Sequence, residues 1–371
     1  MFRKCLEQLD PYKAGKPVAE LKKELGLDQV YKLNANENPN GPSKEALKAV
    51  GNILEQINTY PDAGSDRLRL TLSELLGVKP SQIILGNGGD EIIRLVTEIL
   101  IDPGDEAIAA VPYFSLYKNN VQLMNGILKE VHFKTFEFDP QAILTAITPK
   151  TRLIFLTSPN NPTGTIIRRE KLIEVLNQVP DDIVILLDEA YSDYAFDCLD
   201  YPDGVAFLKS HENLIVLRTF SKSSGLAGMR VGYAVSSEKI INALFKIKLV
   251  FNVNLLAQAA ALAALQDPGH VQKSVEQNKK SLAMLYDYFE SNGFDYVPSF
   301  ANFVFVNFGH PVLEVIQHLS HSGIFITPGT VWGYETWGRV STGSNEAMAA
   351  FMTSMDQWIK KKAITSQDKF D

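Results

Sequence analysis

Leu214-Ile-Val-Leu217, running into Arg218-Thr-Phe-Ser-Lys222-Ser-Ser-Gly-Leu-Ala-Gly-Met-Arg230, is the stretch on which the reading of this chain turns. A β-branched apolar run that breaks into hydroxyls, glycines and cations reads as a buried strand ending at a ligand-bearing loop. A lysine there can attack a carbonyl and form a Schiff base if burial or neighbouring cations free its amine, and Arg218 and Arg230 are the nearest cations in sequence. Alone, Lys222 carries little weight, since most lysines are solvated surface groups. Two earlier segments repeat the layout: Leu153-Ile-Phe-Leu156 runs into Ser158-Pro-Asn-Asn161-Pro-Thr-Gly164, and Ile183-Val-Ile-Leu-Leu187 into Asp188-Glu-Ala-Tyr191. Open α/β sheets bind ligands at the carboxyl ends of their strands, so Asn161, Asp188, Tyr191 and Lys222 are expected to converge on one small molecule.

An amine nucleophile, a carboxylate and a phenol suit pyridoxal phosphate. The carboxylate keeps the pyridine nitrogen protonated, and the asparagine amide and tyrosine hydroxyl can bond the ring oxygen. The phosphate of such a cofactor needs a cradle of donors. Ile83-Ile-Leu-Gly86-Asn-Gly88-Gly89-Asp90-Glu91 reads as a strand, a glycine turn and a helix start, where free N–H groups and the helix dipole attract an anion. An ordinary capped turn, with Asp90 serving the helix, explains that segment about as well by itself. Ser221 and Arg230 supply the hydroxyl and the cation that favour the cradle.

Taken in order, these segments resemble the fold type I pyridoxal phosphate aminotransferases, and within them the histidinol-phosphate aminotransferase branch. The resemblance spans nearly the whole chain. It is carried also by Leu9-Asp-Pro-Tyr12, Lys32-Leu-Asn34-Ala-Asn36-Glu37-Asn38-Pro39, Tyr60-Pro-Asp62, Pro112-Tyr-Phe114-Ser-Leu-Tyr117 and Phe251-Asn-Val-Asn254. It implies a mostly parallel seven-stranded sheet flanked by helices, with a smaller α+β domain. It further implies that Lys222 is the Schiff-base lysine and the base that moves the substrate proton, that Asp188 pairs with the pyridinium nitrogen, and that Asn161 and Tyr191 bond the ring oxygen. Gly88, Gly89, Asp90, Ser221 and Arg230 would line the phosphate end, and Phe114 would stack on the ring. Tyr60 would reach the phosphate from a neighbouring subunit, which implies a homodimer with shared active sites. Tyr12 and Asn36 match substrate-side positions.

Arg339, in Gly338-Arg339-Val-Ser-Thr-Gly343, matches the family's substrate arginine; a guanidinium fork can bind a carboxylate or a phosphate with two parallel hydrogen bonds. The chain departs from the pattern just upstream. Histidinol-phosphate enzymes usually carry a second arginine after the run corresponding to Gly323-Ile-Phe-Ile326, whereas here there is no Lys or Arg from His310 to Gly338. Lys13, Lys16 or a residue of the neighbouring subunit are candidates to replace that charge. Trp332, Tyr334 and Trp337 are candidates to wall an apolar side-chain pocket, although core packing is the commoner fate of aromatics. Three activities therefore stand: ping-pong transamination of L-histidinol phosphate with 2-oxoglutarate and L-glutamate, transamination of an aromatic or other amino acid, and decarboxylation of a phosphorylated amino acid.

Length and composition agree. A chain of 371 residues is long for one core, and the expected division is a large domain over 31–255 and a small one formed by 1–30 with 256–371. The net charge of −7 argues against nucleic acid or an anionic membrane as partner, so positive charge must be concentrated locally, as in Arg218, Lys222 and Arg230. Cys5 and Cys198 show no disulfide or zinc spacing, and no metal is expected. With no apolar leader at the start and no long apolar run, a cytoplasmic location is expected.

Overall fold

The computed structural model of the chain describes residues 2–9 and 16–367. After β1 (Tyr31–Leu33), the chain lays down β2 (Ile83–Gly86), β3 (Glu106–Val111), β4 (Ile127–His132), β5 (Thr151–Thr157), β6 (Val184–Asp188), β7 (Leu214–Thr219) and β8 (Gly232–Val235). These last seven form one sheet in the order β2-β8-β7-β6-β5-β3-β4. All neighbours are parallel except that β8 runs antiparallel to both β2 and β7. The strands read as unbroken apolar runs because both faces are covered. On one face Leu85, Ile154, Leu156, Ile185, Leu187 and Val216 meet Leu172 and Val175 of the helix Arg169–Gln178 and Ala257 and Ala260 of the helix Leu255–Leu265. On the other, Ile84, Phe155, Leu186, Ile215 and Leu217 meet Ile92, Ile93 and Val96 of the helix Gly89–Leu100. Successive residues of one strand supply opposite cores, as a two-residue repeat requires.

The remaining strands, β9 (Asp295–Val297), β10 (Phe303–Asn307), β11 (Ile324–Pro328) and β12 (Trp337–Ser341), join β1 in a second sheet ordered β1-β11-β12-β10-β9. Its core packs Val304, Val306, Ile326 and Val340 against Leu285 and Phe289 of the long helix Pro268–Ser291 and Phe351 and Met355 of the last helix. Strand β1 pairs in parallel with β11, Lys32 opposite Phe325 and Leu33 opposite Ile326. That pairing has a consequence for the cleft, because it pins the segment Asn34–Glu37 to the mouth of the large sheet. Asn36 is held there by its N–H donating to Ser341 Oγ (3.1 Å) and by Asn302 Nδ2 donating to its carbonyl (3.0 Å).

Candidate active site

Strands β5, β6 and β7 end side by side, Thr157 opposite Asp188 and Asp188 opposite Leu217. Beyond those ends lies a cavity of about 530 Å³, a size that takes a cofactor and a small substrate together. Of the residues singled out in the sequence, Asn36, Gly89, Asp90, Phe114, Asn161, Asp188, Tyr191, Ser221, Lys222, Arg230 and Arg339 all line it.

Lys222 is half-buried, with Nζ 3.5 Å from the Ala35 carbonyl and 5.4 Å from the centre of the Tyr191 ring. The turn that aims it is tight. The N–H of Gly225 donates to the Lys222 carbonyl, and Gly225 has φ +71°, with a Cβ there falling 2.0 Å from the Gly41 carbonyl oxygen. Only glycine fits both demands. Asn36 Nδ2 donates to the Tyr191 hydroxyl (2.9 Å), and Ser341 Oγ donates to Asn36 Oδ1 (2.6 Å), so the phenol is steered from the small sheet. Asn36 (φ +53°) and Arg230 (φ +56°) both hold left-handed backbone, conformations that cost a non-glycine residue about 1–3 kcal/mol and concentrate at functional sites.

Asp188 is 6% exposed. Tyr117 Oη donates to its Oδ2 (2.7 Å), the Ala190 N–H donates to Oδ1 (3.0 Å), and Thr157 Oγ1 lies 2.9 Å from the same tyrosine hydroxyl. Burial pushes the Asp188 carboxyl up to about 6, against the pull of those hydrogen bonds. Burial first and the Asp188 charge second raise the Tyr117 hydroxyl well above its ordinary range, so it remains a proton donor. Tyr117 is the functional residue that sequence reasoning passed over. Its only signal was an aromatic three residues after Phe114, whose ring meets the Tyr117 ring edge-on at 5.9 Å.

At the other end of the cavity Arg230 Nη2 donates to Asp90 Oδ2 (3.1 Å). A Cβ on Gly88 would sit 2.5 Å from that guanidinium, so Gly88 makes room for Arg230 instead of lining the cavity itself. Glu91, not Asp90, serves the helix start: its Oε2 accepts from the Asn87 N–H (2.6 Å) and from Asn252 Nδ2 (2.8 Å). Asp90 is thereby left facing the cavity.

Arg339 is 7% exposed, with Nη1 donating to Asn161 Oδ1 (2.5 Å) and Nη2 to the Asn34 carbonyl (2.7 Å) and Thr327 Oγ1 (3.1 Å). Its guanidinium lies over the Phe303 and Trp332 rings, at 5.3 and 5.8 Å.

Several expectations change. Arg218 is not part of the cavity's positive charge. Its Nε and Nη2 donate to the fully buried Glu189 (2.9 and 2.7 Å) and Nη2 also to Asp203 (2.6 Å). Burial works against the Arg218 charge, but Glu189, Tyr233 and Asp203 together outweigh it and hold the pKa well above the ordinary arginine range. Trp332, Tyr334 and Trp337 do not wall the cavity either; they pack around Phe305 at 5.0–6.1 Å. Lys16 is spent on Glu24 at the surface. Tyr60 is 81% exposed and stacks on Phe251, clear of its own chain's cavity. Tyr12 and Lys13 lie outside the described residues.

Comparison with known proteins agrees with this geometry. Residues 28–354 match the family described as Aminotransferase class I and II. The chain is 42% identical to a histidinol-phosphate aminotransferase of Caldicellulosiruptor saccharolyticus over 96% of its own length and 99% of the relative's. It is 44% identical to another of Moorella thermoacetica over 95% and 92%. Among solved structures, histidinol-phosphate aminotransferase from Sinorhizobium meliloti in complex with pyridoxal-5′-phosphate superposes with a TM-score of 0.90 at 26% identity, covering 97% of this chain and 98% of that one. A half-buried lysine and a buried aspartate at the carboxyl edge of a seven-stranded sheet are thus where such a sequence should put them, and the chain belongs to the class I and II aminotransferases.

Proposed function

We propose that the cavity binds pyridoxal phosphate and moves an amino group between L-histidinol phosphate and 2-oxoglutarate, forming L-glutamate, as a cytoplasmic step of histidine biosynthesis. The observation that carries the reading is that Lys222, Asp188 and Arg339, an amine, a carboxylate and a guanidinium from three different strands or strand ends, face one cavity. The choice of substrate is supported by the full-length relatives that bear that name.

The donor set suits the cofactor. Asp188 is a buried carboxylate whose direct partners among the described residues are neutral donors, an environment that favours a cation placed opposite it. The N–H at Gly89, the Ser221 hydroxyl and the Arg230 guanidinium suit a phosphate, with Asp90 holding Arg230 in place. When bound, pyridoxal phosphate supplies an aldehyde that takes up the amino group and a protonated ring that draws electrons from the substrate carbon. Asp188 would pair with the ring nitrogen and keep it protonated, and Tyr117 would hold the carboxylate square to it. Asn161 and Tyr191 would bond the ring oxygen and Phe114 would cover the ring face. Lys222 would take the proton from the substrate Cα and deliver it to the cofactor carbon that carries the amino group, C4′. Arg339, with Asn36 and Tyr12, would bind the carboxylate of glutamate in one half-reaction and the phosphate of histidinol phosphate in the other, which makes the kinetics ping-pong.

The reading includes a homodimer of chains divided into a large domain over 31–255 and a small one from 1–30 and 256–371. The exposed stack of Tyr60 on Phe251 supports a second copy there, with Tyr60 reaching the partner's phosphate. A monomer by light scattering at micromolar concentration would remove that part. Among the described residues no helix is long and apolar enough to cross a membrane, and no group of His, Cys, Asp or Glu is arranged to hold a metal.

Steady-state kinetics test the substrate. Parallel double-reciprocal lines are expected with L-histidinol phosphate and 2-oxoglutarate, and a kcat/KM at least about a hundredfold above that for L-phenylalanine. Equal use of phenylalanine would overturn the substrate assignment. The packing of Trp332, Tyr334 and Trp337 around Phe305 supports the phosphorylated donor over the aromatic alternative. Carbon dioxide release without an amino acceptor would favour the decarboxylase.

A further inference from the structure

Among the described residues four cationic side chains reach the cavity, and the reading above employs three of them: Lys222 for proton transfer, Arg230 at the cofactor phosphate, Arg339 for the substrate anion. The fourth is Lys32. It stands on β1 opposite Phe325 of β11, the strand of the small sheet from which no cation comes, since β11 carries neither Lys nor Arg. Its side chain is 25% exposed, and Nζ lies 3.7 Å from Glu37 Oε1, too far for a hydrogen bond and on a carboxylate that is itself half exposed. Glu37 lines the same cavity. Arg339 already touches the strand's continuation, for its Nη2 donates to the carbonyl of Asn34, two residues beyond Lys32. Lys32 and Arg339 thus line one cavity, on either side of the bend that begins at Asn34.

A phosphate monoester carries between about 1.5 and 2 negative charges at neutral pH, more than one guanidinium can neutralise. We propose that Lys32 supplies the second positive charge for the distal phosphate of the amino donor, and that Glu37 holds the ammonium in the cavity until that phosphate arrives. Lys32 is in this account a substrate-binding residue that sets specificity for phosphorylated over unphosphorylated donors. The proposal rests on the substrate reading above. It costs the protein little in the absence of substrate, since a loose, partly solvated ion pair adds little to stability.

The test compares holoenzyme of the wild type, Lys32→Gln, Lys32→Arg and Glu37→Gln with L-histidinol phosphate and with L-histidinol, and measures competitive inhibition by inorganic phosphate. Losing one charged contact to the phosphate is expected to raise the KM for L-histidinol phosphate about tenfold or more in Lys32→Gln, with kcat nearly unchanged. The KM for L-histidinol should not move, and the inhibition constant of inorganic phosphate should rise in parallel. Lys32→Arg should restore both, and Glu37→Gln, which removes the competing carboxylate, should shift both the other way. An unchanged KM for L-histidinol phosphate together with an unchanged phosphate inhibition constant in Lys32→Gln would overturn the proposal. A wild type that does not distinguish the phosphorylated donor from L-histidinol overturns instead the substrate reading, and the inorganic phosphate comparison still decides whether Lys32 binds the anion. Poor folding of Lys32→Gln would leave the decision to Glu37→Gln, where a lower KM for L-histidinol phosphate and a lower phosphate inhibition constant are results that no general loss of structure produces, and their absence would overturn the proposal.

Discussion

Lys222→Ala is expected to lower turnover by about 10⁴-fold or more, because it removes both the amine that anchors the cofactor and the group that moves the substrate proton. The fold should survive. Among the described residues Lys222 Nζ has one weak polar contact, to the Ala35 carbonyl at 3.5 Å, and a cation–π approach to Tyr191, so truncation strands no buried charge and breaks no ion pair there. The expected change in stability is about 1 kcal/mol or less. The measurements are single-turnover rate, cofactor retained after gel filtration, and Tm of the cofactor-free protein. Unaltered Tm with abolished turnover and weakened retention is the expected combination. A variant that kept full activity would sink the account of the cavity, whereas one that lost both activity and Tm would show Lys222 acting in the fold.

The second large effect has opposite signs for activity and stability. Asp188→Asn should cut turnover by about 10²- to 10⁴-fold, since a neutral amide cannot keep a proton on the ring nitrogen. Without cofactor the same change should stabilise the protein at neutral pH. Burial raises the Asp188 pKa from 3.8 to about 6, so the native state holds its proton through a window in which the unfolded chain has lost it. Stability from this group is full below about pH 4, falls as pH rises toward 6, and above 6 the buried charge costs about 3 kcal/mol. The asparagine avoids that cost. Tyr117 can adapt, because its hydroxyl can accept from the new amide and donate to Thr157. Urea titrations of the cofactor-free proteins at pH 4 and pH 8 check this: the variant's advantage should appear at pH 8 and vanish at pH 4. Adding pyridoxal phosphate should reverse the order, because only the aspartate gains a cationic partner.

This trade explains what could be seen in the sequence and what could not. The runs ending at Thr157, Asp188 and Thr219 are apolar because the sheet is covered on both faces, and their polar ends mark the ligand edge, so these strands and their site residues were legible. Strand β8 was not. Four buried residues, Gly232–Val235, carry no direction, and only pairing with β2 and β7 makes them antiparallel. Arg218 looked like part of the site because sequence gives proximity along the chain, while its partner Glu189 comes from the end of another strand. Lys32 stood in plain view inside a motif, but its place beside β11 depends on a pairing across almost the whole chain, Lys32 with Phe325. Tyr117 likewise stood inside a quoted motif with no role of its own until the fold placed Asp188 under its hydroxyl.

The most direct test of the central claim is a single-turnover titration of the holoenzyme with L-histidinol phosphate in the absence of any acceptor, following the absorbance of the bound cofactor. The account predicts complete conversion to the amino form of the cofactor, reversed by 2-oxoglutarate, and neither change in Lys222→Ala. A cofactor spectrum that L-histidinol phosphate leaves untouched at millimolar concentration would contradict it.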